Sequence, residues 1–546
     1  MANQLYYGDN LDMLRKHIAN ESVDLVYLDP PFNSKQDYSV IFRNTKGQGS
    51  EAQINAFKDT WHWGTSSEYA LQRDIPEHCS AKVIEAANAI VDLVGKNDLS
   101  AYLVMMIPRL VELKRVLKPT GSIFLHCDNT ASHYLKIVLD AVFGIENYRS
   151  NITWKRTSAH SDGKQGRRGL GRITDIIFFY SKSENFKLNI QYMPYDKSYV
   201  KDFYKYVEPE TGRLYRLGDL TGPGGESKGN PSYEVMGVTR YWRYSRQKMD
   251  ALIAEGRVVQ EKPGMVPQYK RYLDEMPGIP LQDIWDDIGP IGAQAKERLG
   301  YPTQKPLALL ERIIQLASNK GDVVLDPFCG CGTAVHAAQK LERSWIGIDI
   351  TSIAISLIKY RLTTAFPNIQ FTTISEPIDV DGARQLALDD KHQFEWWALS
   401  LVKAKPTGEG TEPGKGKKGA DGDKDGMIFF RDTGSKLGKV IVSVKGGKNV
   451  NVEMVRSLGD VVDEQKAAIG LFITLEPPTK PMLDWAAKKG LFHSDTWGDF
   501  PKIQILTIED ILTGKKIAMP PTTVAETFLT PRKEKAKSEA EQEELL

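Results

Sequence analysis

Three short apolar runs in this chain each stop at an aspartate. Val23 to Leu28 (VDLVYL) ends at Asp29, Val323 to Leu325 at Asp326, and Trp345 to Ile348 at Asp349. Short runs with little polar alternation read as strands buried on both faces. Ser122 to His126 (SIFLH) is a further strand of this kind. Between them lie stretches of helical spacing: Leu103–Leu117, which stops at Pro119-Thr120-Gly121, then Ser132–Phe143, Pro306–Ser318 and Thr333–Leu341. Strand alternating with helix predicts an α/β chain with a parallel sheet covered by helices. Ligands in such sheets sit outside the carboxyl ends of the strands. The aspartates therefore mark a candidate crevice.

At 546 residues and 61.2 kDa the chain exceeds what one hydrophobic core supports, so two or three domains are expected. From about 185 to 285 the sequence is rich in Tyr, Lys, Arg, Gly and Pro and weakly periodic, as in an inserted module. After Lys403 comes PTGEGTEPGKGKKGADGDKDG, a linker composition, and then a second α/β pattern. Its strands fall near 427–430, 439–444, 469–475 and 503–507, its helices near 452–467 and 480–489. The expected boundaries are 1–184 and 286–375 for two halves of one domain and 185–285 for the insert. They continue with 376–424 for a helix and linker, 425–530 for a smaller α/β domain and 531–546 for a charged, frayed tail.

The net charge of +1 carries no information about partners, but its distribution does. Lys155, Arg156, Lys164, Arg167, Arg168 and Arg172 face the single acid Asp162, among glycines that make the stretch a loop. A basic loop binds phosphates through counterion release; a solvated surface loop is the alternative, and charge alone leaves both open. No apolar run is long enough to span a membrane. The start, MANQLYYGDN, lacks the basic and apolar segments of a secretory signal, so a cytoplasmic protein is expected. Cys79, Cys127, Cys329 and Cys331 show no zinc spacing and read as reduced, mostly buried thiols.

The segment from Asp326 to Thr333 (DPFCGCGT) follows a strand and opens a helix. Gly330 and Gly332 allow a tight turn and a close backbone approach to a ligand. The third glycine of a dinucleotide fingerprint is missing, and so is the Gly-Lys-Ser/Thr of a phosphate loop. Asp349, ending the next strand, stands where an acid accepts from two ribose hydroxyls. These features suit an adenosyl ligand without phosphates. Asp29-Pro30-Pro31-Phe32 supplies acceptors instead. An exocyclic amino nitrogen is a poor nucleophile because its lone pair is delocalised into the ring. The Asp29 carboxylate and the Pro30 carbonyl, accepting its two hydrogens, favour a localised lone pair. Pro30 and Pro31 stiffen the loop and remove its donors. Phe32 offers a ring face to a base, worth about 1–3 kcal/mol. The alternative is a rigid turn with a surface acid. The two motifs form one site only if the strands ending at Asp29 and Asp326 are neighbours.

Gly8-Asp9-Asn10, DPPF at 29–32, GSIFLHCD at 121–128, NITWKR at 151–156 and TDIIFFYSKS at 174–183 precede YPTQKP at 301–306, VLDPFCGCGTA at 324–334 and GIDI at 347–350. This ordered set, over roughly residues 1–375, resembles the β arrangement of DNA amino-methyltransferases. The resemblance implies a Rossmann-like, S-adenosylmethionine-dependent methyltransferase sheet acting on double-stranded DNA, with 185–285 as target-recognition region. It implies that Asp9 contacts the adenine end of the cofactor and that Lys305 and Pro306 border its methionine end. Asp326, Phe328, Gly330, Gly332 and Thr333 would line the cofactor turn. The family commonly has Tyr where Phe32 stands, a change that keeps the stacking face. Asp at the first motif position goes with N6 of adenine, and Ser with N4 of cytosine. The expectation is N6-adenine methylation of a flipped-out base in restriction–modification or phage defence; N4-cytosine is the alternative. A restriction subunit and a homodimer are the assembly options. Direct transfer needs no covalent intermediate, so Cys329 and Cys331 are not expected as nucleophiles, and no metal is expected in that site.

Beyond about 380, Asp425-Gly426 followed by Ser443-Val444-Lys445 resembles the Mrr-like branch of restriction-endonuclease folds. Those enzymes place an Asp, then Glu or Gln two residues before a Lys, around magnesium. Ser443 is a weaker ligand, which favours a fold kept for DNA contact or assembly over a bifunctional methyltransferase–nuclease. Glu395, on a preceding helix, is the residue able to replace the missing ligand.

Overall fold

The strand that runs into Asp29 occupies the middle of a nine-stranded sheet in the computed structural model. The structure describes residues 2–31, 37–43, 49–58, 62–157, 170–292, 295–299, 301, 303–406, 424–431 and 437–521. The nine strands are β1 (Asn3–Tyr7), β2 (Val23–Leu28), β3 (Leu117–Cys127), β4 (Tyr148–Lys155), β5 (Thr174–Ser181), β6 (Ile284–Trp285), β7 (Val323–Asp326), β8 (Ser344–Asp349) and β9 (Phe371–Ile374). Their spatial order is β6-β4-β5-β3-β2-β7-β8-β1-β9. All neighbours are parallel except β5, which runs against β3 and β4. This is a Rossmann-like sheet. Every residue of β2 is buried, as its unbroken apolar run requires.

Val324 pairs with Leu25 and Leu325 with Val26, so β2 and β7 are parallel neighbours and Asp29 and Asp326 share one end of the sheet. From this pair the order runs outward through β3 on one side and β8 on the other. It is the switch point at which open α/β sheets bind ligands. Helices α1 (Asn10–His17), α2 (Asp98–Val116) and α3 (Ser132–Phe143) cover one face, where Leu103, Leu110 and Leu135 meet Val26, Leu28 and Leu125. Helices α4 (Leu307–Ala317), α5 (Thr333–Lys340) and α6 (Ser352–Ala365) follow the second half of the chain.

Residues 190–282 form a compact unit of their own. It has a four-stranded sheet, in the order Val258–Val259, Gln268–Tyr272, Leu214–Asp219, Tyr206–Val207. Its core gathers Leu220, Val235, Trp242, Met249, Leu252 and Val258. Strands of two to six residues account for the weak periodicity of this region.

The C-terminal part contains α7 (Val380–Asp389), α8 (Lys391–Leu401), β10 (Gly426–Arg431), β11 (Leu437–Lys445), α9 (Val452–Glu464), β12 (Ile469–Thr474), α10 (Lys480–Lys488) and β13 (Ile503–Thr507). Its five-stranded sheet runs Lys405–Pro406, β10, β11, β12, β13. Ala383, Ala387, Phe394 and Trp397 of α7 and α8 share a core with Val440, Val442 and Val444 of β11. Helices α7 and α8, which precede the boundary expected at 425, thus pack on the sheet that follows it. Segments 407–423 and 522–546, which include the Gly/Lys-rich linker and the tail, lie outside the described residues. Among the described residues no helix is long and apolar enough to cross a membrane.

One buried acid ties the central strands together. Asp24 of β2 is 1% exposed and accepts from Lys118 Nζ at 2.7 Å, Lys187 Nζ at 2.9 Å and the Val323 amide at 3.0 Å. Burial raises its pKa, and these hydrogen bonds more than offset the rise, leaving it below the ordinary aspartate value. A lowered folded value gives stability that is present above the ordinary range and lost as pH falls through the folded value. Asp24→Ala is expected to cost about 3–5 kcal/mol at neutral pH by urea denaturation. Its stability should also fall less steeply in acid than that of the parent.

Candidate active site

A cavity of about 280 Å³ opens at the shared end of β2 and β7, lined by Asp29, Pro30, Pro31, Asp326, Gly330 and Asp349 among others. Asp29 Oδ2 is ion-paired with Lys305 Nζ. Its Oδ1 is buried and has no hydrogen-bond partner among the described residues. Phe32 lies outside the described residues, so the stacking face expected there has no structural account.

The turn after β7 is built from main-chain hydrogen bonds. Asp326 Oδ1 accepts from the Phe328 amide at 3.0 Å, and the Cys329 amide donates to the Ile348 carbonyl at 3.0 Å. Gly330 has φ +51°, and a Cβ there would meet the Tyr301 ring at 3.3 Å. Gly332 has φ +75°, and its Cβ would lie 2.9 Å from Ile358. Asp349 Oδ2 accepts from the Gly330 amide at 2.8 Å, while Oδ1 accepts from the Thr351 amide and hydroxyl, both at 2.9 Å. Asp349 thus holds the turn, and the remaining lone pairs of its carboxylate face further acceptor work. Burial pushes the Asp326 carboxyl well above the ordinary range, reinforced by the charges of Asp29 and Asp349. Burial, then Asp326 and Asp349, likewise push the Cys329 thiol well up. A thiol held protonated is a poor nucleophile.

Asp9 lines the cavity, but both its oxygens are engaged. Oδ1 caps α1 by accepting from the Leu11 amide at 2.8 Å, and Oδ2 meets Arg109 Nη2 at 2.7 Å. Arg109, only 5% exposed, also donates to Asn10 Oδ1 at 2.6 Å and to the Met105 carbonyl at 2.7 Å. Asn10 Nδ2 then donates to the Pro327 carbonyl at 2.8 Å, joining the first turn of the chain to the glycine turn. Arg109 was not among the expected residues; its signal is a lone cation on the apolar face of Leu103–Leu117. Arg361 was missed in the same way: it is buried and donates to the Cys331 carbonyl at 3.1 Å and to Thr333 Oγ1 at 3.0 Å. Lys305 lines the cavity, whereas Pro306 does not and instead stands at the N-cap of α4, where a missing N–H costs nothing. Phe328 and Thr333 both line it.

Behind Asp29 runs a buried polar chain. Tyr27 Oη donates to His126 Nδ1 at 3.1 Å, and His126 Nε2 donates to Asp175 Oδ2 at 3.3 Å, the tautomer that a carboxylate partner selects. Arg156 Nε lies 3.2 Å from Asp175 Oδ1. Arg156 is therefore first an anchor for a buried acid, although it stays exposed. Lys155 is exposed, and Arg172, also exposed, donates to Thr130 Oγ1 at 3.0 Å. Lys164, Arg167 and Arg168 lie outside the described residues.

In the C-terminal domain Asp425 Oδ2 accepts from the Val444 amide at 2.6 Å and lies 3.8 Å from Lys445 Nζ. Glu395 of α8 is pushed up to about 7 by burial and by the charge of Asp425, against an opposing effect of Lys445. The Ser443 hydroxyl is buried without a hydrogen-bond partner among the described residues.

Comparison with known proteins agrees with these two regions. Residues 23–359 match the family described as DNA methylase, and residues 389–494 the family described as restriction endonuclease. The Type II methyltransferase M.EcaI of Enterobacter cloacae is 26% identical over 365 residues, 66% of this chain and 69% of that protein. The Type III restriction-modification enzyme StyLTI Mod subunit of Salmonella typhimurium is 31% identical over 356 residues, 62% of this chain and 50% of that one. The chain thus spans only half the length of the latter relative. Among solved structures, the M1.HpyAVI–SAM complex aligns over 66% of this chain and 98% of its own, with 15% identity and a TM-score of 0.30.

Gly332→Ala forces a side chain into a left-handed backbone against Ile358, and is expected to cost about 1–3 kcal/mol, read as a lowered melting temperature. With acceptor loop and glycine turn facing one cavity and the match spanning both, the chain belongs to the DNA methylase family and carries a restriction-endonuclease-family domain behind it.

Proposed function

We propose that the chain transfers a methyl group from S-adenosylmethionine to N6 of adenine in double-stranded DNA, in a restriction–modification or phage-defence setting. The observation that carries this is the unpartnered Asp29 Oδ1, buried in the same cavity as the glycine turn. A target amino group donates one N–H to Asp29 Oδ1 and the other to the Pro30 carbonyl. Both acceptors orient the nitrogen and leave its lone pair free. The base is flipped from the duplex, because an amino group within the stack cannot reach a cavity at a sheet end. Phe32 supplies the stacking face. Fixed positions rather than reactive side chains supply most of the rate.

The donor fits the residues present. The turn offers main chain at Gly330, which lines the cavity without a Cβ, while Gly332 behind it packs against Ile358, and there is no lysine of a phosphate loop. Phe328, Gly330, Gly332 and Thr333 would border the donor beside Asp326, Asp349 its ribose, Asp9 its adenine end and Lys305 its methionine end. When bound, it supplies an electrophilic methyl group on a sulfonium.

Lys155, Arg156 and Arg172, with Lys164, Arg167 and Arg168, are the proposed phosphate contacts. The unit at 190–282 reads the sequence; its exposed Phe203 and Tyr206 and its stacked pair Tyr195–Tyr199 give it faces for bases. Adenine is favoured by Asp at the first position of the DPPF motif. A restriction subunit is a proposed partner, since one relative is by name a Mod subunit. Asp29→Ala is expected to abolish methyl transfer to DNA in a filter assay with labelled donor, while donor affinity stays within a few-fold. Substantial residual transfer would sink the assignment. Methylation-sensitive sequencing of DNA from expressing cells is expected to show N6-methyladenine at one recognition site; N4-methylcytosine would replace the base assignment.

A second activity is favoured by Asp425 standing beside Lys445, with Glu395 within electrostatic reach of both. Asp425 and Glu395 would hold magnesium, with Ser443 beside them, and Lys445 would stabilise charge at a phosphate. Magnesium-dependent cleavage of unmethylated DNA by the full chain, lost in Lys445→Ala, is the expected result. No cleavage by the parent would leave the domain as a DNA-contact or assembly module.

A further inference from the structure

The cavity is lined by more acidic than basic side chains. Of the described side chains that line it, Asp9, Asp29, Asp326 and Asp349 are acidic, and Arg109 and Lys305 are cationic. Arg109 is committed to Asp9, Asn10 and Met105. Lys305 is ion-paired with Asp29, the two side chains being 12% and 15% exposed.

The ammonium arrives on a built loop. Gln304 Nε2 donates to the Glu297 carbonyl at 2.6 Å, and Gln304 Oε1 accepts from the Leu299 amide at 2.8 Å. Glu297 Oε2 accepts from the Leu307 amide at 3.0 Å, fixing the start of α4 directly after Lys305 and Pro306. Such anchoring at both ends restricts where the Lys305 side chain can begin, and its head group ends on one oxygen of Asp29.

An isolated carboxylate turns about its Cβ–Cγ bond and presents either oxygen. Pinning one oxygen gives the other a single direction, and placement of an acceptor is what amino-group chemistry demands of this site. Lys305 also sets a positive charge against the cluster of acids; at Asp326 burial, and then the charges of Asp29 and Asp349, oppose ionisation.

We infer that Lys305 is a positioning residue for Asp29, holding Oδ2 so that Oδ1 faces the target amino group. The inference rests on the role proposed for Asp29 above. It assigns Lys305 to the acceptor side of the reaction rather than only to the methionine end of the donor. The nitrogen–methyl bond forms as the sulfur–methyl bond breaks, the sulfur keeps that electron pair, the amino proton is released to solvent, and no bond is made to Lys305.

The test compares the full chain with Lys305→Met, which keeps the length and removes the charge, and Lys305→Arg, which restores it. Two quantities are read: the dissociation constant of S-adenosylmethionine by calorimetry, and the single-turnover rate on duplex DNA at saturating donor. Lys305→Met is expected to lower that rate by about 100-fold, the order of loss that a small misplacement of a catalytic group causes. The donor dissociation constant should change less than about threefold, and Lys305→Arg should recover much of the rate. A purely structural role would move melting temperature without this split, and Lys305→Gln replaces Lys305→Met if the latter does not fold. Donor binding weakened tenfold or more, with a parental rate at saturation, would overturn the inference and assign Lys305 to the donor. A parental rate with parental binding overturns it as well. A parent chain that transfers no methyl group to DNA would instead remove the proposed function, and this inference with it.

Discussion

Parallel pairing of Val23–Leu28 with Val323–Asp326 brings together two motifs that are far apart in the chain, and the site exists only where they touch. Each strand is too short to be stable alone; the ladder between them and the buried Asp24, bonded across it to the Val323 amide, hold their ends level. The cost of so wide a separation is modest, because loop-closure entropy grows only with the logarithm of length. A whole compact unit at 190–282 can therefore sit between them in sequence.

What the pairing creates is a cavity with few reactive groups and many fixed ones. Asp349 clamps the glycine turn, Arg109 and Asn10 fasten the Gly8–Asn10 turn to Pro327, and Lys305 meets Asp29 from a third direction. The Tyr27–His126–Asp175 chain forms a polar, satisfied floor beneath strand ends that are otherwise apolar. Buried polar groups are costly when unpaired, and these groups around the cavity are paired. Asp29 Oδ1, without a hydrogen-bond partner among the described residues, differs from them in this.

The C-terminal domain is attached to this architecture by α8. Trp396 packs against the cluster of Leu299, Tyr301, Cys331, Ile353 and Leu357 beside the turn, and Gln393 accepts from Tyr7 at 3.4 Å. The neighbouring Glu395 lies within electrostatic reach of Asp425 and Lys445. One helix thus belongs to both cores.

Much of this was legible in the residues. Short apolar runs bounded by turn residues read as strands covered on both faces, so β2, β3, β7 and β8 and the helices between them follow from period and length together. Asp29, Pro30, Gly330, Gly332 and Asp349 sit next to such strand ends and are found by their chemistry. Arg109, Arg361, Asn10 and the His126–Asp175 pair were not, since a polar residue inside an apolar helix or strand does not announce its partner across the sheet. The short strands of 190–282 were hidden because so few residues cannot establish a period. Sequence by itself determined which segments are buried and which groups can accept a proton or a hydrogen bond. Tertiary structure decided which of those groups meet, and that one oxygen of Asp29 is taken by Lys305 while the other is left open, because pairing depends on distances that only the folded sheet sets.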